Sequence, residues 1–251
     1  MTTKPLSIDE LKRLRRLGRK MKTAYVELDA EFVKSADGMK ISCKPGCASC
    51  CYLLTLITLP EGVAIAEHFL SDVQMRNKIP ELMRSFFQQI QHIEAGGVKA
   101  IRDSYFRKKV PCTFLDTATN RCTVYSVRPG ACRYHAVVSD PEGCSPEVRG
   151  VVSKVNVLAL DAALLSTANQ ASNQVKVPLF IAPLPVVMLW AFKLLIEGRA
   201  AFDAGLVDPE MGVLDLTGWM ERLSADEAAG EEILPPPPDA GTTVVAEDPP
   251  T

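Results

Sequence analysis

The sequence predicts a mainly α-helical protein with a small β-hairpin, a helical scaffold around a cysteine-rich metal site. Three observations lead there. Apolar residues recur every three or four positions along much of the 251-residue chain, the spacing that lines one face of a helix. Two β-favouring runs, 112–116 and 120–125, flank the short polar link Thr117-Ala118-Thr119, which is the pattern of a hairpin. The eight cysteines fall into two groups, Cys43, Cys47, Cys50 and Cys51, then Cys112, Cys122, Cys132 and Cys144. Thiols at that density are soft donors for Zn²⁺ or an iron-sulfur cluster.

Taken in order, Ser7-Ile8-Asp9-Glu10 has the form of a capping box. Ile8, Leu11, Leu14, Leu17, Met21, Tyr25, Leu28 and Phe32 then mark a long amphipathic helix up to Gly38. Its outer face is basic, with Lys12, Arg13, Arg15, Arg16, Arg19, Lys20 and Lys22. A solvated face is the simpler reading and an acidic protein partner the sharper one; nucleic acid is disfavoured because no stacking aromatics are interleaved. In Cys43-Lys44-Pro45-Gly46-Cys47-Ala48-Ser49-Cys50-Cys51 the Pro-Gly turn lets the first three thiols wrap one centre. Cys50 and Cys51, as neighbours in an extended segment, point to opposite sides and are able to serve different centres.

Residues 53–57 read as a short buried strand, and Thr58-Leu59-Pro60-Glu61 as a helix start continued by Val63, Ile65, Ala66 and Phe69. Pro80 opens a helix through Leu82, Met83, Phe86, Phe87, Ile90 and Ile93, and Val98, Ile101 and Tyr105 mark a shorter one before Pro111. Each strand of the hairpin is expected to deliver one thiol, Cys112 and Cys122. Residues 128–133 suit a tight turn or a single helical turn, and a loop runs on to Cys144. Ser145-Pro146-Glu147 reads as the cap of a long helix along Val148, Val151, Val155, Leu158, Ala162 and Leu165. The stretch 177–196 is the most hydrophobic, but Pro178, Pro183, Pro185 and Lys193 interrupt it. The prolines break its first half and leave about 12 residues for a buried core helix ending at Gly198, with no membrane span. Asp208-Pro209 opens a last short element with Trp219 and Leu223. The expected organisation is one globular domain over 1–223, made of a cysteine-cluster region 43–144 and a helical extension 145–223. The tail 224–251 holds seven of the 30 acids, none of the 28 bases and a run of four prolines, a composition that stays disordered.

The N-terminus lacks a signal-peptide pattern, so a reducing cytoplasm is expected, where eight cysteines serve as ligands rather than as disulfides. Four thiolates around zinc carry a formal charge of about −2, and Arg128, Arg133, Arg121 and Lys44 lie near cysteines in the sequence to balance it. The alternative for Arg128 and Arg133 is a pocket for a carboxylate or phosphate group. His135 stands three residues after Cys132 and reads as a supporting residue rather than a ligand. Tyr52, Phe114, Tyr125 and Tyr134 would build a dry wall. No Ser-His-Asp order, phosphate loop or glycine-rich nucleotide fingerprint is present. The Cys-x3-Cys-x2-Cys spacing is also that of radical S-adenosylmethionine enzymes, but Ser49 replaces the usual aromatic and the following patterns are helical rather than alternating with strands.

With both cysteine groups in view, the sequence resembles the YkgJ-type cysteine-cluster family of zinc- or iron-chelating domains. The resemblance rests on Cys43, Cys47, Cys50 and Cys51, on Cys112-Thr113-Phe114-Leu115 and Cys122-Thr123-Val124-Tyr125, and on Arg128-Pro129-x2-Cys132-Arg133; it covers about 43–144. It implies a metal-binding protein. Some relatives look like flagellin lysine N-methylases with an iron-sulfur cluster, which makes methyl transfer to a protein lysine the enzymatic alternative, although no methyl-donor site is identifiable in this chain.

Overall fold

The computed structural model describes residues 7–44, 46–93, 98–148, 152–175 and 179–197. Helix α1 (Ile8–Ser35) begins with a reciprocal cap in which Ser7 Oγ accepts the Glu10 N–H and the Glu10 carboxylate accepts the Ser7 N–H. Its stripe of Leu14, Leu17, Met21, Tyr25 and Leu28 is buried. Thr58 and Glu61 form a second such box and start α2 (Leu59–Ser71). After it come α3 (Val73–Arg76), capped by Asp72, α4 (Ile79–Ile90) and α5 (Val98–Arg107). A single helical turn, α6 (Gly130–Arg133), precedes α7 (Leu158–Val175) and α8 (Leu184–Glu197).

Helix α2 is the middle layer, with α1 on one side and α8 on the other. Two glycines set these distances. A Cβ on Gly18 of α1 would lie 3.1 Å from the Ala64 Cα of α2, and one on Gly62 of α2 would lie 2.6 Å from the Val187 Cγ1 of α8. Rings from four parts of the chain close the core: Phe114 lies 5.9 Å from Phe69 and 5.5 Å from Phe86, and Phe192 lies 6.0 Å from Phe69. Phe114 thereby anchors the cysteine region to the helical body, and its burial contributes about 2 kcal/mol. Among the described residues no helix is long and apolar enough to cross a membrane.

The mainly helical class and the hairpin stand, with differences in detail. The hairpin consists of β2 (Leu115–Asp116) and β3 (Arg121–Cys122), Leu115 facing Cys122. Only Cys122 lies in a strand, because Cys112 sits in the turn that Leu115 closes by donating to the Cys112 carbonyl at 2.8 Å. The strand expected over 53–57 is shorter and later: β1 (Leu56–Thr58) pairs antiparallel with β4 (Ile181–Pro183), forming a second two-stranded ladder. That pairing takes the first half of the apolar stretch, which the prolines bar from helix, and α8 occupies the second half from Leu184 with Pro185 in its first turn. The helix expected from Ser145 does not form there. Ser145 does cap the Val148 N–H at 3.2 Å, but Val155 donates to the Ala136 carbonyl at 2.9 Å and Lys154 bridges Val137. The β-branched Val152 and Val155 favour this extended state, and α7 starts after Asn156, whose Oδ1 accepts the Leu158 N–H. The last short element at 208–223 and the disordered tail at 224–251 lie outside the described residues.

Candidate metal centre

The early cysteines sit on a chain path pinned at both ends. Ser42 donates to the Val137 carbonyl at 2.9 Å, and the Val137 N–H returns to Cys43 Sγ at 3.4 Å. The chain then turns at Gly46, whose φ of +86° is the left-handed conformation glycine tolerates, and Cys47 donates to the Lys44 carbonyl at 2.9 Å. Cys50 and Cys51 lie in one 3₁₀ turn (Ser49–Tyr52).

The later cysteines are brought onto that turn. Cys112 donates its backbone N–H to the Cys51 carbonyl at 2.8 Å. The sulfurs of Cys112 and Cys122 accept the N–H groups of Phe114 and Val124, two residues on in each case. Cys132, in α6, points its thiol at Thr55 Oγ1, 3.8 Å away. Cys144 ends a 3₁₀ turn (Pro141–Cys144) that packs against the turn holding Cys50 and Cys51. Both cysteine groups therefore meet in one neighbourhood, with Cys50 at its hub. Its thiol acts electrostatically on Cys43, Cys51, Cys112, Cys122, Cys132 and Cys144.

Burial dominates these thiols. It pushes Cys112 up to about 12 and Cys144 up to about 11, and raises Cys132, Cys122 and Cys43 as well. The Cys50–Cys51 pair shares a hydrogen bond that lowers Cys50 and raises Cys51. Two cations oppose the burial. Arg128 lowers Cys43, Cys50 and Cys122, and Lys154 lowers Cys144.

The two arginines of the Arg128-Pro129-x2-Cys132-Arg133 motif face different ways. Arg128 lies over the Tyr125 ring at 4.1 Å, and its buried Nε has no partner. Arg133 donates from Nη1 to Asp29 Oδ2 at 2.7 Å and from Nη2 to the Ser126 carbonyl at 2.8 Å, with its guanidinium over the Tyr25 ring. It ties α6 to α1. His135 has a buried Nε2 without a partner; burial, then Lys154 and Arg102, lower it to about 4.

Sequence reasoning missed two contributors. Lys154, bridged to Val137, lowers Cys144, and nothing local in the sequence marks it. The sequence marks Glu61 only as a cap residue. It is 2% exposed and also accepts from Tyr25 Oη at 3.1 Å and from the Gly130 N–H at 2.7 Å, which fixes the first residue of the turn that carries Cys132.

Among the described residues, no three or more His, Cys, Asp or Glu side chains stand ready as a metal cage. The fit therefore rests on the donor set. Free thiols that are half-buried, with Cys43 exposed, gain from a cation that stabilises their deprotonated form, and Arg128 and Lys154 already lower several of them. The residues suit a thiolate-bound metal. In comparison with known families, residues 42–148 match the model described as "CxxCxxCC: Putative zinc- or iron-chelating domain". No curated protein and no solved structure matches the chain. The matched stretch, residues 42–148, carries all eight cysteines and is similar to that zinc- or iron-chelating domain.

Proposed function

We propose that this chain is a cytoplasmic metal-binding protein that holds zinc or an iron-sulfur cluster through its eight cysteines in a structural or redox role. One observation supports the reading: the Cys51 carbonyl accepts the Cys112 N–H, and the turn ending at Cys144 packs on the same Cys50–Cys51 turn, so backbone from both cysteine groups meets there. Bound zinc would supply a closed, redox-inert cross-link among those stretches, and a cluster would supply an electron store. Arg128 offsets the negative charge that four thiolates leave on such a centre, and Arg133 braces the turn that presents Cys132.

Anaerobic purification followed by elemental analysis and an absorption spectrum tests the reading. Zinc in a colourless protein, or iron with acid-labile sulfide in a brown one, is expected. A protein that carries neither, and takes up neither on reconstitution, overturns it.

A further inference from the structure

We propose that the basic first half of α1 is a docking surface for the chain's own acidic segment, residues 224–251, which covers it from within the same molecule. Over residues 8–22, seven bases stand beside only two acids, Asp9 and Glu10. The segment 224–251 is the complement, with seven acids and no base, four of them close together as Asp226, Glu227, Glu231 and Glu232.

Little in the fold neutralises the basic surface. Lys12 reaches Asp9 at 3.9 Å and Arg15 reaches Glu67 at 3.3 Å, while Lys20 donates to the neutral Gln174 side chain. Arg13, Arg16 and Arg19 are exposed, and none of them has a carboxylate partner among the described residues. At spacings of four and three, Lys12, Arg16 and Arg19 share the outward side of the helix. A lipid surface fits less well. Leu14, Leu17 and Met21, the apolar residues among these bases, are buried in the core and leave no apolar face to enter a bilayer.

The fold also delivers the acidic segment to the correct end of α1. Arg15 meets Glu67, Gly18 meets Ala64 and Tyr25 meets Glu61, so α1 and α2 run antiparallel and α1 begins where α2 ends. Helices α2 and α8 both leave the β1–β4 ladder, and Gly62 packs on Val187 while Phe69 packs on Phe192. These two helices therefore run the same way. The described chain accordingly leaves α8 at Glu197 on the end where α1 begins, and Leu14 and Leu17 share a core cluster with Leu194 and Leu195. Asp226 follows Glu197 by 29 positions. A coil of that length spans about 30 Å, and Lys12 to Lys22 covers about 15 Å of helix, so the acids can reach the bases. Tethering presents them at about 1 mM, which favours exposed ion pairs too weak to join separate molecules.

Zero-length cross-linking of dilute full-length protein with a carbodiimide, mapped by mass spectrometry, tests the contact. Amide links from Lys12, Lys20 or Lys22 to the acids at 226–232 are expected within single chains, and they should fade in high salt. A synthetic peptide of residues 224–239 then reads whether the face is occupied. It should bind about tenfold more tightly to the full chain carrying Asp226→Asn, Glu227→Gln, Glu231→Gln and Glu232→Gln than to wild type. Adding Arg13→Gln, Arg16→Gln and Arg19→Gln should abolish that gain, with circular dichroism equal to wild type showing that α1 is intact. Equal binding of the peptide to wild type and to the neutralised chain would show that the face stands open, and cross-links found only in dimers would put the acids on a second copy. Either result overturns the proposal. So does binding to phosphatidylserine vesicles that the four neutralising substitutions leave unchanged, because the face then serves a membrane.

Discussion

Glu61 shows how much one buried side chain is asked to hold. Its two oxygens accept from Thr58 N, Thr58 Oγ1, Tyr25 Oη and Gly130 N, so every neighbour is a donor. Glu61→Gln keeps the shape but turns an amide N–H₂ against a backbone N–H in either orientation. It should cost about 3 kcal/mol, seen as a lower denaturant midpoint; an unchanged midpoint would contradict the role. His135 gives a pH dependence. Its folded pKa is about 4, below the usual value of about 6.5, so acid loads the unfolded chain first. The stability it contributes is complete above about pH 6.5 and is lost as pH falls towards about 4, by up to about 3 kcal/mol. Melting temperatures at neutral and acid pH should converge more closely for His135→Gln than for wild type. Arg128→Gln should weaken metal retention about tenfold in chelator competition, since it removes a cation that lowers both Cys50 and Cys122. At this scale the cysteines were legible because a thiol announces its chemistry by its identity. Glu61 and Lys154 were not: a carboxylate or an ammonium is ordinary until the fold puts it next to Gly130 or Cys144.

Among the elements, those with a local start signal were readable. The boxes at Ser7 and Thr58 begin α1 and α2 as the sequence implies. Misreadings arose where a distant partner decided the outcome. Nothing near residue 181 reveals that β1 waits 125 positions upstream, as the Thr58–Ile181 register of the ladder requires for its neighbours Ile57 and Ala182. The Ser145-Pro146-Glu147 signal likewise lost to strand pairing of Lys154 with Val137. The α1–α2 contact yields a sharper test. Gly18→Ala adds helix propensity worth about 1 kcal/mol, yet its methyl would meet backbone atoms of Val63 and Ala64 at 3.1 to 3.3 Å. Overpacking against a second helix should prevail, for a net loss of about 1 kcal/mol, measurable by chemical denaturation. A gain in stability would show that the two helices can separate freely.

For the whole molecule, the apolar core and the sulfurs are distinct sources of order. The buried side chains of α1, α2, α4 and α8 pack on one another and on Phe114, with Cys112 and Cys122 only at the margin. Removing metal with a chelator should therefore raise amide hydrogen exchange across 43–51 and 112–144 while α1, α2 and α8 stay protected. Uniform deprotection would mean that the core depends on the metal, as in small zinc domains. The layering of α2 has another consequence. The matched stretch, residues 42–148, includes α2 but neither α1 nor α8, the helices that wall it on both sides. Excised at those borders, it would carry two bare oily walls and clump before any sulfur found its ion. A cut for expression, or a natural shuffling event, succeeds only if both flanking helices travel with it.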